Sequence, residues 1–204
     1  DKKQEEKKDN ENKDTENNDK SYPVGEMVEP KRNVVWGTAV IVNAPKNGAI
    51  KGGDHNIFYE EGKKKVVLST FILDKIELSS IDEKFVVGSE YSLAAGSLAG
   101  SLNTSISQDS VKWEDAKFED MEINGFKVKR FSGIKRFKKQ DGTLTDSKSY
   151  FISYFVNAAD HTGKESTYVL SVGVNEKSLD LKEDADKIAD QVMQTLRKDE
   201  ATKY

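Results

Sequence analysis

The closing stretch of the chain imposes the tightest constraint on its fold. In STYVLSVGV (166–174), Tyr168, Leu170, Val172 and Val174 fall on one side while Ser171 and Gly173 fall on the other, the two-residue period of a strand. Leu181, Ala185, Ile188, Ala189, Val192 and Leu196 then follow at offsets 0, 4, 7, 8, 11 and 15, a single apolar stripe along a helix. Asp180, three residues before Glu183, suits the start of that helix as a capping pair. A helix with one apolar stripe must bury it, and the apolar face of a sheet containing the preceding strand is the surface at hand. The expected class is α+β, an antiparallel β-sheet flanked by helices.

The strands of that sheet can be read upstream. VVWGTAVIV (34–42) is β-branched and apolar on both faces, which suits a well-covered strand. HNIFYEEGKKKVVLSTFIL (55–73) reads as strand, turn and strand, with Glu61-Gly62-Lys63 at the tip. VKWEDAKFEDMEING (111–125) ends in Asn124-Gly125, a favoured two-residue hairpin turn. FKVKRFSGIKRFKKQ (126–140) continues as a long strand, with a bulge expected near Ser132-Gly133. SKSYFISYFVN (147–157) returns after a turn. Between the two groups, DKIELSSIDEKFVVG (74–88) suggests a short helix and loop. Residues 89–107 suggest a helix rich in small side chains and weakened by Gly96 and Gly100, at ~1 kcal/mol each relative to Ala.

The other end of the chain obeys the opposite rule. Residues 1–20 hold six Lys, eight Asp or Glu, four Asn, one Gln and one Thr, and no apolar side chain. Such a segment has nothing to offset the entropy of ordering, so 1–32 is expected to be a flexible, disordered tether and linker, and 33–199 a single α+β domain. The leader resembles those that follow the lipid-modified cysteine of Gram-positive surface lipoproteins. That resemblance implies an anchoring cysteine immediately before Asp1. It also implies a lipid-anchored place on the extracellular face of the cytoplasmic membrane, with membrane contact only through the anchor.

A second resemblance covers roughly 123–198. The run INGFKVKRFSGIKRF, DSKSYFISYFV, STYVLSVGV and DADKIADQVMQTLRK is similar in pattern to the closing half of Mog1/PsbP-like domains, which end in successive antiparallel strands and a helix with a stripe such as Ile188 and Val192. It implies a Mog1/PsbP-like fold and a non-catalytic accessory or binding role, since most members are not enzymes.

Chemistry is more sparsely signposted. There is no cysteine, which excludes disulfides, thiolate metal sites and thiol nucleophiles, and two histidines are too few for a histidine-rich metal centre. AAGSLAG (94–100) lacks the glycines of a serine elbow around Ser97 and the Gly-Lys-Ser/Thr of a phosphate loop. No enzyme activity and no cofactor are expected. Asp54 beside His55 and Asp160 beside His161 lie in two turns, and if those turns met they could ligate a divalent cation or small ligand. Neighbours in extended chain point to opposite sides, which favours ordinary turn histidines. Lys127, Lys129, Arg130, Lys135, Arg136 and Lys138, interleaved with Phe126, Phe131 and Phe137, could hold an anionic partner, a cell-surface polymer or a protein. The plainer reading is a solvated face with edge protection. With a formal charge of −4, nucleic acid is not an expected partner.

Overall fold

Long runs of β-branched and aromatic residues joined by tight turns can satisfy their backbone groups only by pairing with one another, and here most of them pair with the next strand in the chain. The computed structural model describes residues 26–29, 39–46, 48–50, 56–61, 64–87, 111–138, 141–174 and 182–200. Its elements are β1 (Met27–Val28), β2 (Val40–Ile41), β3 (Ala44–Pro45), β4 (Ala49–Ile50), β5 (Asn56–Glu61), β6 (Lys64–Asp74), α1 (Glu83–Val87), β7 (Val111–Ile123), β8 (Phe126–Lys138), β9 (Leu144–Ala159), β10 (Glu165–Val174), α2 (Lys182–Met193) and β11 (Arg197–Lys198). Seven strands form one sheet in the order β4-β5-β6-β10-β9-β8-β7, and every pairing in it is antiparallel. The inner strands are all hairpin neighbours except β6, which pairs with β10 across the interruption that holds α1.

The register separates two faces. On one, Val66 and Leu68 of β6, Leu170, Val172 and Val174 of β10, Tyr150, Ile152, Tyr154 and Val156 of β9, and Val128 of β8 form a core with Ile188, Ala189, Val192 and Met193 of α2. Ala185, Ile188, Ala189, Val192 and Leu196 are all buried, as the stripe requires. Burying Ile188 or Val192 contributes about 1.5–3 kcal/mol each. On the other face, Phe131, Phe155 and Val169 pack with Ile81 and Val86, which lie on and beside α1. Asp82 accepts the Phe85 amide at 3.0 Å and caps α1. The flanking is therefore unequal: one long helix on the first face, and α1 with a 3-10 turn at Leu78–Ser80 on the second. The expected helix over 89–107, the Asp180 cap and residues 34–38 of the first expected strand lie outside the described residues.

A closed ring of hydrogen bonds fixes the chain as it leaves β6. The Ile76 amide donates to Thr167 Oγ1 at 2.8 Å, that hydroxyl donates to Asn157 Oδ1 at 2.7 Å, and Asn157 Nδ2 donates to the Ile76 carbonyl at 2.8 Å.

Asn124 (φ 50°) and Gly125 (φ 84°) make the turn between β7 and β8. The Asn124 carboxamide reaches across and donates to the carbonyls of Gln194 (2.9 Å) and Leu196 (3.0 Å), just past the end of α2.

The bulge sits at the expected level but on the facing strand. Glu114 pairs with Ile134 and Lys117 with Ser132, so Asp115 and Ala116 together oppose Gly133. Asp115 takes φ 52°, and a Cβ on Gly133 would lie 3.0 Å from Trp113 Cε3. The absent side chain lets the tryptophan lie over the strand.

The boundary expected at 32/33 also moves. Met27–Val28 pairs with Ala44–Pro45, Met27 packs against the main core, and Glu29 accepts an ion pair from Arg197 at 3.0 Å. The end of the expected linker is thus already part of the fold.

Candidate functional site

A cleft of about 450 Å³ opens where the β7–β8 bulge faces the first turn of α2. Its floor is built by strand alternation. Arg130, Ser132 and Ile134 of β8 share the α2 face with Tyr150 and Tyr154 of β9, because Arg130 pairs with Tyr154 and Ile134 with Tyr150. Glu119 stands opposite Arg130 on β7. Asp186 and Asp190, one helical turn apart, bring two carboxylates down from α2 beside its apolar stripe.

These groups form one network centred on Arg130. Its Nε donates to the Tyr154 hydroxyl at 3.1 Å, Nη1 to Glu119 Oε2 at 3.0 Å and Nη2 to Asp186 Oδ1 at 3.1 Å. Tyr150 donates to the same Asp186 oxygen at 2.7 Å, and Tyr154 donates to Asp190 Oδ1. Burial, followed by the hydrogen bond to Asp186, raises the Tyr150 phenol; burial and the bond to Asp190 do the same for Tyr154. Both therefore stay protonated and act as donors. Burial by itself would lower Arg130, but the hydrogen bond to Tyr154 and the charge of Asp186 outweigh it and its affinity for the proton rises. Lys182 Nζ sits 4.8 Å from the centre of the Tyr150 ring, and Lys117 and Asp115 line the rim at the bulge.

The six basic residues expected as an anionic-partner surface are not brought onto one face. Arg130 and Arg136 point to the α2 side, Lys129 and Lys135 to the other. Lys129 pairs with Asp120 at 3.1 Å and Arg136 with Glu114 at 3.0 Å. Lys127 is exposed opposite Glu122, and the side chain of Lys138 lies outside the described set. Lys135 is only 4% exposed, with its amine 5.8 Å from the ring centres of both Trp113 and Phe151. A sheet covered on both sides buries alternate residues of either parity, so a basic strand on it is not a basic surface.

Asp54 and His55 lie outside the described residues. Asp160 Oδ1 accepts from the Thr162 amide (2.8 Å), the Thr162 hydroxyl (2.6 Å) and the Lys164 amide (3.1 Å), while His161 is exposed beside it. Those bonds, led by the Thr162 hydroxyl, lower the Asp160 carboxyl, and they commit it to shaping its own turn. Among the described residues no group of three or more His, Cys, Asp or Glu is placed to hold a metal ion.

Sequence reasoning missed Tyr150, Tyr154, Asp186 and Asp190. Two patterns point to them: tyrosines four apart on one strand share a face, and acids four apart on a helix share a side of it, here the flank of the apolar stripe.

Fold and cleft together define a class: an antiparallel α+β module with one long helix across its sheet and a polar cleft at that helix's first turn. No protein-family description matches the chain, and no curated protein matches it in sequence. Among solved structures it is similar to LpqN, involved in cell envelope biogenesis of Mycobacterium tuberculosis, at 10% identity over 85% of this chain and 90% of that one, with a TM-score of 0.47. It is similar too to a point mutant of protein Mog1 (13% identity, 84% of this chain and 94% of that one, TM-score 0.43). A third likeness is to the Saccharomyces cerevisiae Ran-binding protein Mog1p (12% identity, 86% and 96%, TM-score 0.42). Among the described residues no helix is long and apolar enough to cross a membrane.

Proposed function

We propose that the protein is a non-catalytic accessory or binding domain of a Mog1/PsbP-like surface lipoprotein, tethered by its charged leader and engaging its partner through the cleft beside α2. The observation that carries this reading is the Arg130 network. A nucleophile or general base needs a reactive lone pair poised for transfer. In the cleft Glu119 and Asp186 each have one carboxylate oxygen tied to the guanidinium, and the phenols are held as donors. Groups held this way are suited to positioning a bound molecule. The leader's composition supplies the second half of the reading, since a chain with no apolar residue in its first twenty positions serves as a spacer.

Detergent-phase partition of the native protein from its producing cells tests the tether, with mass spectrometry of its N-terminal peptide and protease treatment of intact cells. The expected result is recovery in the detergent phase, an acylated cysteine before Asp1 and cleavage from outside. Recovery in the aqueous phase with an unmodified N-terminus would refute it.

A further inference from the structure

Resting on the reading of this cleft as a ligand site, we propose that its occupant is a neutral, hydroxyl-rich molecule of the saccharide class. Three acids (Asp115, Glu119, Asp186) and three bases (Lys117, Arg130, Lys182) line it, so the lining carries no net charge. An anionic ligand reaching Arg130 would meet the like charges of Glu119 and Asp186, which already hold the guanidinium. A cation reaching Asp186 would meet the like charge of that guanidinium. Either ion is therefore disfavoured beside the group that would attract it.

A hydroxyl avoids the conflict, because it donates one hydrogen bond and accepts others through the same oxygen. The cleft offers both partners side by side. Arg130 carries five N–H groups; it gives one from Nε to Tyr154, two from Nη1 to Glu119 and, at 3.5 Å, to Ser132 Oγ, and one from Nη2 to Asp186, so among the described residues a second Nη2 N–H remains for a ligand. Among the described residues Glu119 and Asp186 accept these bonds on Oε2 and Oδ1, leaving Oε1 and Oδ2 for a ligand. A donor and two acceptors thus stand together on the floor of the cleft, which is built on the sheet. The volume of about 450 Å³ falls in the range of small-molecule sites. Lys182, on the exposed side of the first helical turn, covers the Tyr150 ring. It can swing outward to admit a ring-shaped ligand, which then meets an aromatic face flanked by polar groups.

The test is a titration of the full ¹⁵N-labelled chain, followed through backbone amides. The probes are three neutral saccharides (N-acetylglucosamine trimer, maltotriose and trehalose), with polyglycerol phosphate and a lysine hexapeptide as charged counterparts. Two variants accompany it: Glu119→Gln, at a half-exposed edge position, and Lys182→Ala, on the solvent side of α2. We expect saturable shifts at the amides of Lys117, Ser132 and Lys182 with at least one neutral saccharide at millimolar concentration, weakened about tenfold by Glu119→Gln through loss of a charged acceptor. Lys182→Ala, by uncovering the Tyr150 ring, should change the affinity as well. Shifts at these amides with a charged probe alone would overturn the saccharide assignment while leaving the cleft as a binding site. Shifts with no probe would overturn both, and saccharide shifts unchanged in both variants would place the ligand elsewhere on the molecule.

Discussion

Lys135 provides the sharpest quantitative expectation. It is 4% exposed between Trp113 and Phe151, and burial pushes its amine from an ordinary 10.5 to about 8. A difference of 2.5 units at 1.36 kcal/mol each corresponds to roughly 3 kcal/mol of differential stability between the two protonation states. The sign follows from linkage. The native amine binds its proton more weakly than the unfolded one, so below pH 8 the charged form weighs fully against folding. Between pH 8 and 10.5 the native chain sheds the proton while the unfolded chain keeps it, and stability rises across that window. Lys135→Met, which preserves length and removes the charge, should therefore stabilise the fold at pH 7. Losing the attraction of the ammonium for the two rings offsets about 1 kcal/mol, leaving a net gain of roughly 2 kcal/mol, or about 4–8 °C in Tm for a chain of this size. Urea denaturation of both proteins at pH 7 and pH 10 measures this. The wild type should gain ground on the variant at the higher pH. Equal pH dependence in the two proteins, or a variant less stable at pH 7, would show that Lys135 folds in its charged form at little cost and sink the reasoning.

Gly133→Ala would place a methyl group 3.0 Å from Trp113 Cε3 and should destabilise by about 1–3 kcal/mol, with a change in near-ultraviolet circular dichroism as the indole moves. Ile188→Ala empties the middle of the contact between α2 and the sheet and should cost about 2–5 kcal/mol in chemical denaturation. The Ser149 hydroxyl is buried with no hydrogen-bond partner among the described residues, so Ser149→Ala should hold or raise stability by about 1 kcal/mol; a loss larger than that would reveal a bond to the hydroxyl.

The sequence carried local information well and long-range information poorly. The α2 stripe, the alternation of β10 and the Asn124-Gly125 turn were legible because each depends on residues within a few positions of one another. Burial of Lys135 was not legible, because it depends on what covers the second face of the sheet, and a lysine on a strand carries no mark of its parity relative to that cover. The bulge was placed at the right level and on the wrong strand, since Gly133 marks the close approach while the inserted residue belongs to Asp115-Ala116 across the ladder. Arg130 and Asp186 are 56 positions apart, and nothing local to either residue announces that they will meet. The pairing of Met27–Val28 with β3 escaped notice because a two-residue strand has no period to detect.

The way the two ends of the fold are fastened has a mechanical consequence. Beside the large sheet there are two miniature ribbons: β1 with β3, and β2 with β11, the latter supported by the Asn43 amide bonding to Thr195 Oγ1 at 2.7 Å and the Asp199 amide bonding to the Ala39 carbonyl at 3.0 Å. A force drawn N-terminally through Met27–Val28 is resisted there by two residue pairs, the Glu26–Lys46 contacts, the packing of Met27 and the Glu29–Arg197 ion pair. That short ribbon should peel before any of the long strands is loaded, while the cleft beside α2 keeps its shape.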